Sequence, residues 1–412
     1  MKVVVIGGGA AGMLSAITAA KEGNDVIILE KTSSLGNKIK ITGKGRCNLT
    51  FDGDIEDFKR NIVKNYKFMY SSFSNFDNND VIRYFESLGV KTKVERGARV
   101  FPVSDKAEDI VKALEGELKK YNIKVKYNSK VSKLNVVDNH IESIETSNGD
   151  IFKCDKCIIA TGGASFPSTG SSGDGFKLAK NLGHDIIDIT PGLVPLRSKD
   201  RICKELQGLS LRNISFKLND NGKEIYSDFG ELMFAHFGLT GPVVLSSSSK
   251  LNRIDNVKTK LNNGEIAAII DFKPALDFET LDKRVCRDFE KYQNKEFKNS
   301  LNDLLPQKLI PVIINLSGID ENIKVHQITK EMRYNLVKLM KNLKVVISGF
   351  MPIEIAIITC GGVNLKYVNP KNMESKIVSG VHFAGEVLDI DAYTGGYNLQ
   401  IAFSTAVAAG KN

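Results

Sequence analysis

The chain has no tryptophan, and it contains only six cysteines and ten prolines among 412 residues. So few cysteines over that length cannot build the dense disulfide framework that small secreted domains use. No apolar run approaches the roughly 18 residues that a membrane-spanning helix needs. The longest runs, at residues 266–272 and 309–316, have the length of one buried strand or helix. The sequence therefore excludes a disulfide scaffold and a membrane-spanning protein.

The rest of the composition is typical of a folded protein with more than one domain. Hydrophobic residues make up 42% and charged residues 25% of the chain, which argues against disorder and fibrous repeats. The length predicts two or three domains, at about 150 residues each. A net charge of +9 is compatible with an anionic partner. The lysines are scattered among acidic and amide residues, however, which is typical of solvated surface and argues against a nucleic-acid partner.

The first thirty residues contain the clearest motif. Their beginning superficially resembles a signal peptide, because one lysine precedes an apolar stretch that ends in small residues. Another interpretation explains more: an apolar strand, a Gly-x-Gly-x-x-Gly turn at Gly7, Gly9 and Gly12, a helix over residues 11–22, and a second apolar strand closed by Glu30. This order predicts a dinucleotide-binding βαβ unit. We therefore expect an uncleaved, cytoplasmic chain.

Each part of this unit has a physical role in binding a dinucleotide. Gly7 permits a sharp exit from the strand, Gly9 lets backbone N–H groups approach a pyrophosphate, and Gly12 allows close packing of helix on strand. The N-terminus of the helix adds a partial positive charge beside the phosphates. The Glu30 carboxylate can accept hydrogen bonds from both hydroxyls of a ribose. FAD and NAD share the adenosine diphosphate half, so the unit alone does not choose between them.

The segment from Gly36 to Thr50 is too rich in glycine and cations for an ordinary helix or strand. Lys38 and Arg46 can neutralise phosphate, and the glycines allow the main chain to lie against a flat ligand. We therefore expect this loop to wrap an anionic ligand. A flexible basic surface loop is the alternative.

A meander of short strands and a glycine-rich turn follow at mid-chain. The strands are expected over residues 130–137, 140–147 and 151–153. A buried strand then ends in Thr161-Gly162-Gly163 and is expected to return the chain to the cofactor-binding sheet. The segment 165–175, rich in serine and glycine, precedes a helix over residues 176–182 and has a purely structural loop as its alternative interpretation.

The C-terminal segment contributes a further strand and helix. A short strand ends at Gly385-Glu386, and a helix beginning at Tyr397 follows Gly395-Gly396 with no acidic side chain in its first turn. The free N–H groups and the dipole of such a helix suit a ligand that becomes negative. A reduced flavin is such a ligand, since its anion places charge on the pyrimidine edge.

Six motifs spread over the chain carry a family resemblance. They lie at residues 42–50, 99–102, 160–163, 236–242, 359–363 and 385–400. Together they resemble the bacterial BaiN/aminoacetone-oxidase family of FAD-binding flavoproteins over essentially the whole chain. The most specific are Gly-Arg-Cys-Asn-Leu-Thr at 45–50 and Gly-Gly-Tyr-Asn-Leu-Gln at 395–400. Lys44 stands where the family commonly has glycine, and Cys360 where serine or alanine is usual.

The resemblance implies an α/β fold, with a Rossmann-like FAD-binding domain of the glutathione-reductase type, and a set of cofactor contacts. In this sequence those positions are Gly7, Gly9, Ala10, Ala11, Gly12, Glu30, Lys31, Gly36, Lys38, Thr42, Gly45, Arg46, Cys47, Asn48, Val131, Thr161, Gly162, Gly163, Gly385, Glu386, Gly396, Tyr397, Asn398 and Leu399. Val131 is expected to contact the adenine through its backbone and Glu386 to hold the ribityl chain. The helix from Tyr397 is expected to face the O2/N1 edge of the flavin.

The domain boundaries follow from where the pattern changes. We expect a discontinuous FAD-binding domain over residues 1–190 and 350–412, a β-rich, barrel-like insert over 191–276 with parts of 306–349, and a small helical subdomain over 277–345. Strands in the insert are predicted over 210–218, 223–234 and 258–272. Because both cofactor-binding parts must share one sheet, the insert is expected to lie over the flavin as a substrate lid.

Catalytic residues are less clearly indicated than cofactor contacts. The candidates are Cys47, Cys360, His236 and Tyr393, and for each a packing role is the alternative. No acid or base is assigned, since a flavin transfers hydride itself. Cys154-x-x-Cys157 has no second Cys pair or His pair to complete a zinc site, so no metal is expected. His184 is expected at the surface.

The leading hypothesis is an FAD-dependent oxidoreductase. It would pass hydride through the flavin to the conjugated C=C of an enone-type small molecule, with NAD(P)H as a diffusible donor. Only one dinucleotide fingerprint is present, which argues against a disulfide reductase with two Rossmann domains. Three alternatives stay open: an FAD-dependent amine oxidase that makes peroxide, an RNA-binding flavoprotein that modifies nucleic acid, and a flavin-binding protein without turnover. The sequence does not indicate the oligomeric state.

Overall fold

The computed structural model describes residues 1–411, and the chain divides into two compact units. The first unit joins residues 1–192 to the C-terminal segment that starts at Ile353, and the second unit comprises Leu193–Pro352. Each unit has its own cluster of buried hydrophobic side chains. The first unit is therefore discontinuous in sequence, with the second inserted into it.

The described residues form twenty β-strands, most of them short. In chain order they are β1 Lys2–Ile6, β2 Asp25–Leu29, β3 Thr50–Phe51, β4 Thr92–Glu95, β5 Arg99–Pro102, β6 Lys124–Lys126, β7 Val131–Val137, β8 His140–Thr146, β9 Ile151–Lys153, β10 Lys156–Ile159, β11 Ile186–Gly192, β12 Leu196–Arg197, β13 Ser210–Asp220, β14 Lys223–Ala235, β15 Gly238–Thr240, β16 Ile266–Asp271, β17 Leu343–Val346, β18 Gly349–Phe350, β19 Ile358–Val363 and β20 Val381–Phe383.

Fourteen α-helices lie among the described residues. They are α1 Ala10–Lys21, α2 Asn37–Ile41, α3 Ile55–Asn61, α4 Tyr70–Asn75, α5 Asn78–Ser87, α6 Ala107–Lys120, α7 Asp174–Asn181, α8 Arg201–Glu205, α9 Pro242–Leu251, α10 Val257–Asn262, α11 Phe278–Lys291, α12 Ile310–Ser317, α13 Lys330–Lys341 and α14 Tyr397–Gly410. Within residues 1–411, no helix has the length and apolar character needed to cross a bilayer.

A five-stranded parallel sheet organises the first unit. Its order is β20-β10-β1-β2-β6, and all four neighbouring pairs run parallel. The last residue of β1, Ile6, is in register with Leu29 of β2 and with Ile159 of β10, which in turn pairs with Phe383 of β20. The carboxyl ends of four strands therefore lie side by side. This is the edge at which open α/β sheets bind their ligands, and it confirms the predicted α/β class.

Two helices from opposite ends of the chain pack together in this unit. Nine of the twelve residues of α1 and twelve of the fourteen residues of α14 are buried, which explains why both helices are apolar around most of their circumference. Small residues of the C-terminal segment permit close approach to α1. A Cβ at Gly410, the last residue of α14, would lie 2.7 Å from the carbonyl oxygen of Ser15, and one at Gly385, after β20, would lie 2.8 Å from Cβ of Ala11. The C-terminal segment thus reaches the first turn of α1.

The second unit contains a seven-stranded sheet of order β17-β16-β13-β14-β15-β12-β18, with antiparallel pairing throughout. The predicted strand over residues 258–272 is wrong in its first part, because Val257–Asn262 is the helix α10 and the strand begins at Ile266. Leu261 is the only buried side chain of that six-residue helix. A single apolar position cannot distinguish a helical period from a strand period.

Candidate cofactor and active site

The glycine turn between β1 and α1 opens toward the carboxyl edge of the sheet. A Cβ at Gly12 would lie 1.8 Å from the carbonyl oxygen of Gly7, so the helix packs directly against the strand exit. α1 begins at Ala10 and Ala11 with Gly9 as its N-cap, without a capping side chain or an acid in its first turn. A Cβ at Gly9 would meet nothing within 4 Å. This helix end thus presents unpaired N–H groups beside open space, as an anion site requires.

Glu30 lies immediately after β2 and is buried, with 8% of its surface exposed. Its Oε2 accepts a hydrogen bond from the N–H of Gly8 at 2.7 Å. Its Oε1 accepts from both the N–H and the hydroxyl of Thr32, each at 2.7 Å. The carboxylate therefore joins the glycine turn to the end of β2, at the position predicted to receive a ribose.

Lys31, the next residue, forms a partly buried ion pair. Its Nζ lies 2.7 Å from Oδ2 of Asp174, the first residue of α7, and it also donates to the hydroxyl of Ser172. Lys130 Nζ approaches the other oxygen of Asp174 at 3.4 Å. Val131, predicted to contact adenine, directly follows Lys130 in the sequence and is buried at the start of β7. The structure thus brings Lys31 to a partner that sequence reasoning did not propose.

Lys38 and Glu386 are 348 residues apart and form an ion pair at 2.7 Å. Lys38 Nζ also donates to the Ser165 hydroxyl at 2.7 Å, and Glu386 Oε1 accepts from the N–H of Thr359 at 2.8 Å. A Cβ at Gly163 would lie 2.2 Å from the Thr359 hydroxyl oxygen. Segments following β2, β10 and β20 therefore meet in one polar cluster, which includes Ser165 and Thr359.

Asn48 connects the basic loop to the N-terminus of α14. In the amide orientation that satisfies its neighbours, its nitrogen donates to the carbonyl oxygens of Val100 at 3.2 Å and Thr50 at 3.1 Å, and its oxygen accepts from the N–H of Gly396 at 3.0 Å. Gly396 has φ of +97°, and a Cβ there would lie 2.3 Å from the Thr50 carbonyl oxygen. Only glycine fits this helix start.

The first turn of α14 has no acidic side chain and no side-chain cap. Tyr397 is buried and its ring lies 4.7 Å from that of Phe51. The Asn398 side chain donates to the carbonyl oxygen of Ala392 at 2.8 Å and accepts from its N–H at 3.0 Å, while Leu399 is half-buried. The preceding loop is therefore held from within, and the N–H groups of this turn remain available to a ligand.

The basic loop itself differs from an irregular segment. Residues 37–41 form the short helix α2, and residues 42–45 form a tight turn. Arg46, expected to neutralise phosphate, donates to Asp105 at 2.8 Å and to Glu95 at 3.2 Å, and it stacks over Phe101 with its guanidinium carbon 4.2 Å from the ring centroid. The charge of Arg46 is thus already paired with two carboxylates.

The remaining predicted contacts serve mainly to shape the turns. The N–H of Gly36 donates to the carbonyl oxygen of Gly8 at 2.9 Å. Thr42 donates from its hydroxyl to Ile39, and a Cβ at Gly45 would approach only the Lys40 carbonyl, at 3.9 Å. In the turn after β10, a Cβ at Gly162 would lie 2.8 Å from the hydroxyl oxygen of Ser171. The buried hydroxyl oxygen of Thr161 faces α7, where a Cβ at Gly175 would lie 2.1 Å from it.

The cysteine candidates for catalysis are deeply buried. Cys47 is fully buried with φ of +60°, and burial raises the pKa of its thiol to about 12. This thiol stays protonated near neutral pH, which favours a packing role. Cys360 is also buried and donates to Asp391 Oδ2 at 3.5 Å. Both positions favour the structural alternatives for these two residues.

The other two candidates lie in different places. Tyr393 is half-buried in the loop before α14, and its N–H donates to the Asn61 carbonyl at 2.9 Å. His236 is exposed in the second unit, between β14 and β15. His184, predicted at the surface, is instead buried, with 2% exposed, and bonds to the Ser375 hydroxyl at 2.9 Å. One histidine in a turn gives no periodicity from which burial can be predicted.

The polar residues along this edge fit an FAD molecule. The α1 N-terminus suits the pyrophosphate, Glu30 suits a ribose, and the α14 N-terminus suits the edge of the flavin that becomes negative. Among residues 1–411, no group of three or more His, Cys, Asp and Glu side chains is arranged to hold a metal ion.

Known proteins resemble this chain over essentially its whole length. The family model described as "HI0933-like protein Rossmann domain" matches residues 1–412. The 3-dehydro-bile acid delta(4,6)-reductase of Clostridium scindens is 29% identical over 422 residues, which cover 100% of this chain and 98% of that protein. The ribosomal RNA dihydrouridine synthase of Haemophilus influenzae is 31% identical over 410 residues, which cover 98% of this chain and 96% of that protein.

A solved structure shows the same fold. The 3-ketosteroid delta4-(5alpha)-dehydrogenase of Rhodococcus jostii RHA1, in complex with 4-androstene-3,17-dione, has a TM-score of 0.51 and 16% identity. The match covers 100% of this chain and 96% of that chain. At this identity the similarity concerns the fold alone.

Proposed function

Because the chain belongs to the HI0933-like family of FAD-binding Rossmann proteins and is an FAD-dependent oxidoreductase, we propose that it reduces a C=C bond conjugated to a carbonyl group. The observation that carries this proposal is the shared chemistry of two full-length relatives. A delta(4,6)-reductase of a 3-keto steroid acts on double bonds conjugated to that ketone, and dihydrouridine arises by saturation of a uracil C=C bond conjugated to its carbonyl.

The residues at the sheet edge have separate tasks in this proposal. Gly9 and the first turn of α1 bind the pyrophosphate, and Glu30 orients the adenosine ribose. Lys38 and Glu386 hold the ribityl chain, and the first turn of α14 favours negative charge on the pyrimidine edge. FAD, when bound, supplies the centre that accepts hydride from a donor and passes it to the substrate.

The proposed electron donor is NAD(P)H, which binds and leaves as a second substrate. The test is an anaerobic reaction of the purified holoprotein with NADH and with NADPH, followed by mixing with an acceptor. We expect the flavin absorbance to bleach with one of the two donors, and a conjugated steroid enone or a uracil-containing RNA to reoxidise it at least about tenfold faster than air does. Free FAD under the same conditions is the control.

Two outcomes contradict the proposal. Reoxidation by air that outpaces every conjugated acceptor, with stoichiometric peroxide and reduction by a small amine, identifies an amine oxidase instead. If neither a nicotinamide donor nor an amine reduces the flavin, the chain is a flavin-binding protein without turnover. Both outcomes are visible in the same spectrophotometer traces, so the reductase, oxidase and binding-protein hypotheses are separated by one experiment.

RNA is a second candidate acceptor, because the relative with 31% identity is named for an RNA product. The second unit also carries most of the net positive charge, +6 of the chain's +9, with 25 Lys and Arg against 19 Asp and Glu over residues 193–352. RNA binding would weaken steeply with salt, in proportion to the number of phosphates contacted. Absence of binding to a ribosomal RNA fragment at low salt eliminates this acceptor and leaves the small-molecule enone.

A further inference from the structure

The segment 164–174 is a compact loop that closes on itself between β10 and α7. The N–H of Gly173 donates to the carbonyl oxygen of Gly163 at 3.0 Å, which joins the two ends of the loop. Its tip, at Pro167 and Ser168, is exposed. Such short, self-closed surface loops are frequently functional. None of its residues is among the predicted cofactor contacts.

One flank of this loop is fixed beside Lys38. The N–H groups of Ala164 and Ser165 donate to the Thr359 hydroxyl oxygen at 2.8 and 3.1 Å. The Ser165 hydroxyl, fully buried, accepts from Lys38 and lies 3.2 Å from Glu386 Oε1. This flank therefore touches the two residues proposed to hold the ribityl chain.

The other flank is fixed beside Lys31, at the adenosine end of the same edge. Asp174 and Ser172 both bind Lys31 Nζ, and a Cβ at Gly170 would lie 3.3 Å from the Thr32 side chain. Only 15% of the Asp174 side chain and 25% of the Lys31 side chain are exposed. The Lys31–Asp174 pair is thus screened less by water than most surface ion pairs.

We propose that Asp174 is a positioning residue that holds Lys31 and the 164–174 loop together and thereby slows the release of FAD. One loop attached to both lysines spans the site from its ribityl end to its adenosine end. Release of a molecule that extends between those ends requires the loop to detach from at least one lysine, and the Asp174 contact is the attachment at the adenosine end. The inference rests on the proposed FAD site.

A simpler role for Asp174 is to stabilise α7, since an acid in the first turn interacts favourably with the helix dipole. The two roles make different predictions about Lys31. A helix-stabilising carboxylate acts equally whether or not Lys31 is present. A positioning carboxylate loses most of its effect once Lys31, its contact at 2.7 Å, has lost its charge, because its other cation, Lys130, lies farther away at 3.4 Å. A double-mutant cycle separates these cases.

The experiment measures FAD dissociation from the holoprotein by the rise in flavin fluorescence after dilution, for wild type, Asp174→Asn, Lys31→Gln and the double variant. We expect Asp174→Asn to release FAD about tenfold faster, and to have a much smaller effect in the Lys31→Gln background, where only the longer contact to Lys130 remains. Asp271→Asn is the matched control, because Asp271 pairs with Lys341 at 2.6 Å with 18% of its side chain exposed, in the second unit. Its release rate should equal that of wild type.

The proposal is overturned if Asp174→Asn releases FAD at the wild-type rate, or if it accelerates release equally with and without Lys31. Melting temperatures of the apoproteins are measured alongside, so that a loss of folding in any variant is recognised. A wild-type protein that binds no FAD contradicts the proposed function itself, and that outcome is distinct from an unchanged release rate.

Discussion

Replacement of Gly9 by alanine should remove FAD binding while leaving the fold intact. The Gly9 backbone has φ of −82° and ψ of −167°, which alanine adopts freely, and its new Cβ meets nothing within 4 Å. We expect the free energy of unfolding of the apoprotein to change by no more than about 1 kcal/mol, the usual effect of an N-cap change. The open space beside Gly9 is where the pyrophosphate is proposed to bind, so the methyl group occupies room that the ligand needs.

The size of the effect follows from the hydrogen bonds that would be lost. Two charge-assisted bonds from the first turn of α1 to phosphate oxygens, at about 1.5 kcal/mol or more each, amount to about 3 kcal/mol. This corresponds to an FAD affinity at least about 100-fold weaker. The assay is titration of the apoprotein with FAD, followed by quenching of flavin fluorescence, with melting curves of each variant.

Two other glycines serve as controls for this substitution. Gly12→Ala should unfold the domain, because its Cβ would lie 1.8 Å from the Gly7 carbonyl oxygen. Gly116→Ala should bind FAD normally and be slightly more stable, because that helical position is open and alanine favours helix by about 1 kcal/mol. Wild-type affinity in a folded Gly9→Ala variant would refute the assignment of this helix end to the cofactor.

Three further predictions concern single side chains. Glu30→Gln should weaken FAD binding and lower stability by about 1–3 kcal/mol, because its new amide group must face one of the N–H donors that the carboxylate accepts from; a titration and a urea melt measure both. Cys47 should resist maleimide in the native protein, since burial keeps the thiol pKa at about 12, and labelling detected by mass spectrometry without unfolding would contradict this. Burial, aided by the charge of Lys156, lowers the pKa of His382 to about 4. The unfolded chain then binds a proton more readily than the folded one, so stability should fall as pH drops from about 6.5 to about 4, by up to about 1.4 kcal/mol per pH unit, and His382→Gln should reduce this slope in denaturant melts.

The local parts of the site are accessible from sequence because each depends on neighbouring residues. The βαβ unit is one continuous pattern of strand, glycine turn, helix and strand, and its bounds differ from the predicted ones by a single residue at each end of the helix. The C-terminal Gly385-Glu386 turn could be assigned to the same sheet, because open α/β sheets bind their ligands at the carboxyl ends of the strands and this turn carries a predicted cofactor contact. The α/β class and the parallel sheet are confirmed accordingly.

The partners of charged side chains could not be predicted, since they come from remote segments. Lys38 pairs with Glu386 across 348 residues, and Arg46 pairs with Asp105 across 59. Nothing near either cation in the sequence marks those carboxylates. The role of Thr359 was equally hidden, because the N–H groups that its hydroxyl oxygen accepts from belong to Ala164 and Ser165, more than 190 residues earlier in the chain.

The central claim is that the two ends of this chain form one site for FAD, with the adenosine half held by the βαβ unit. Titration of the apoprotein with FAD and with FMN, which lacks that half, tests it most directly. The account predicts one FAD per chain and FMN binding that is weaker by at least about 100-fold. Equal affinity for the two flavins, or no binding of either by the folded protein, would contradict it.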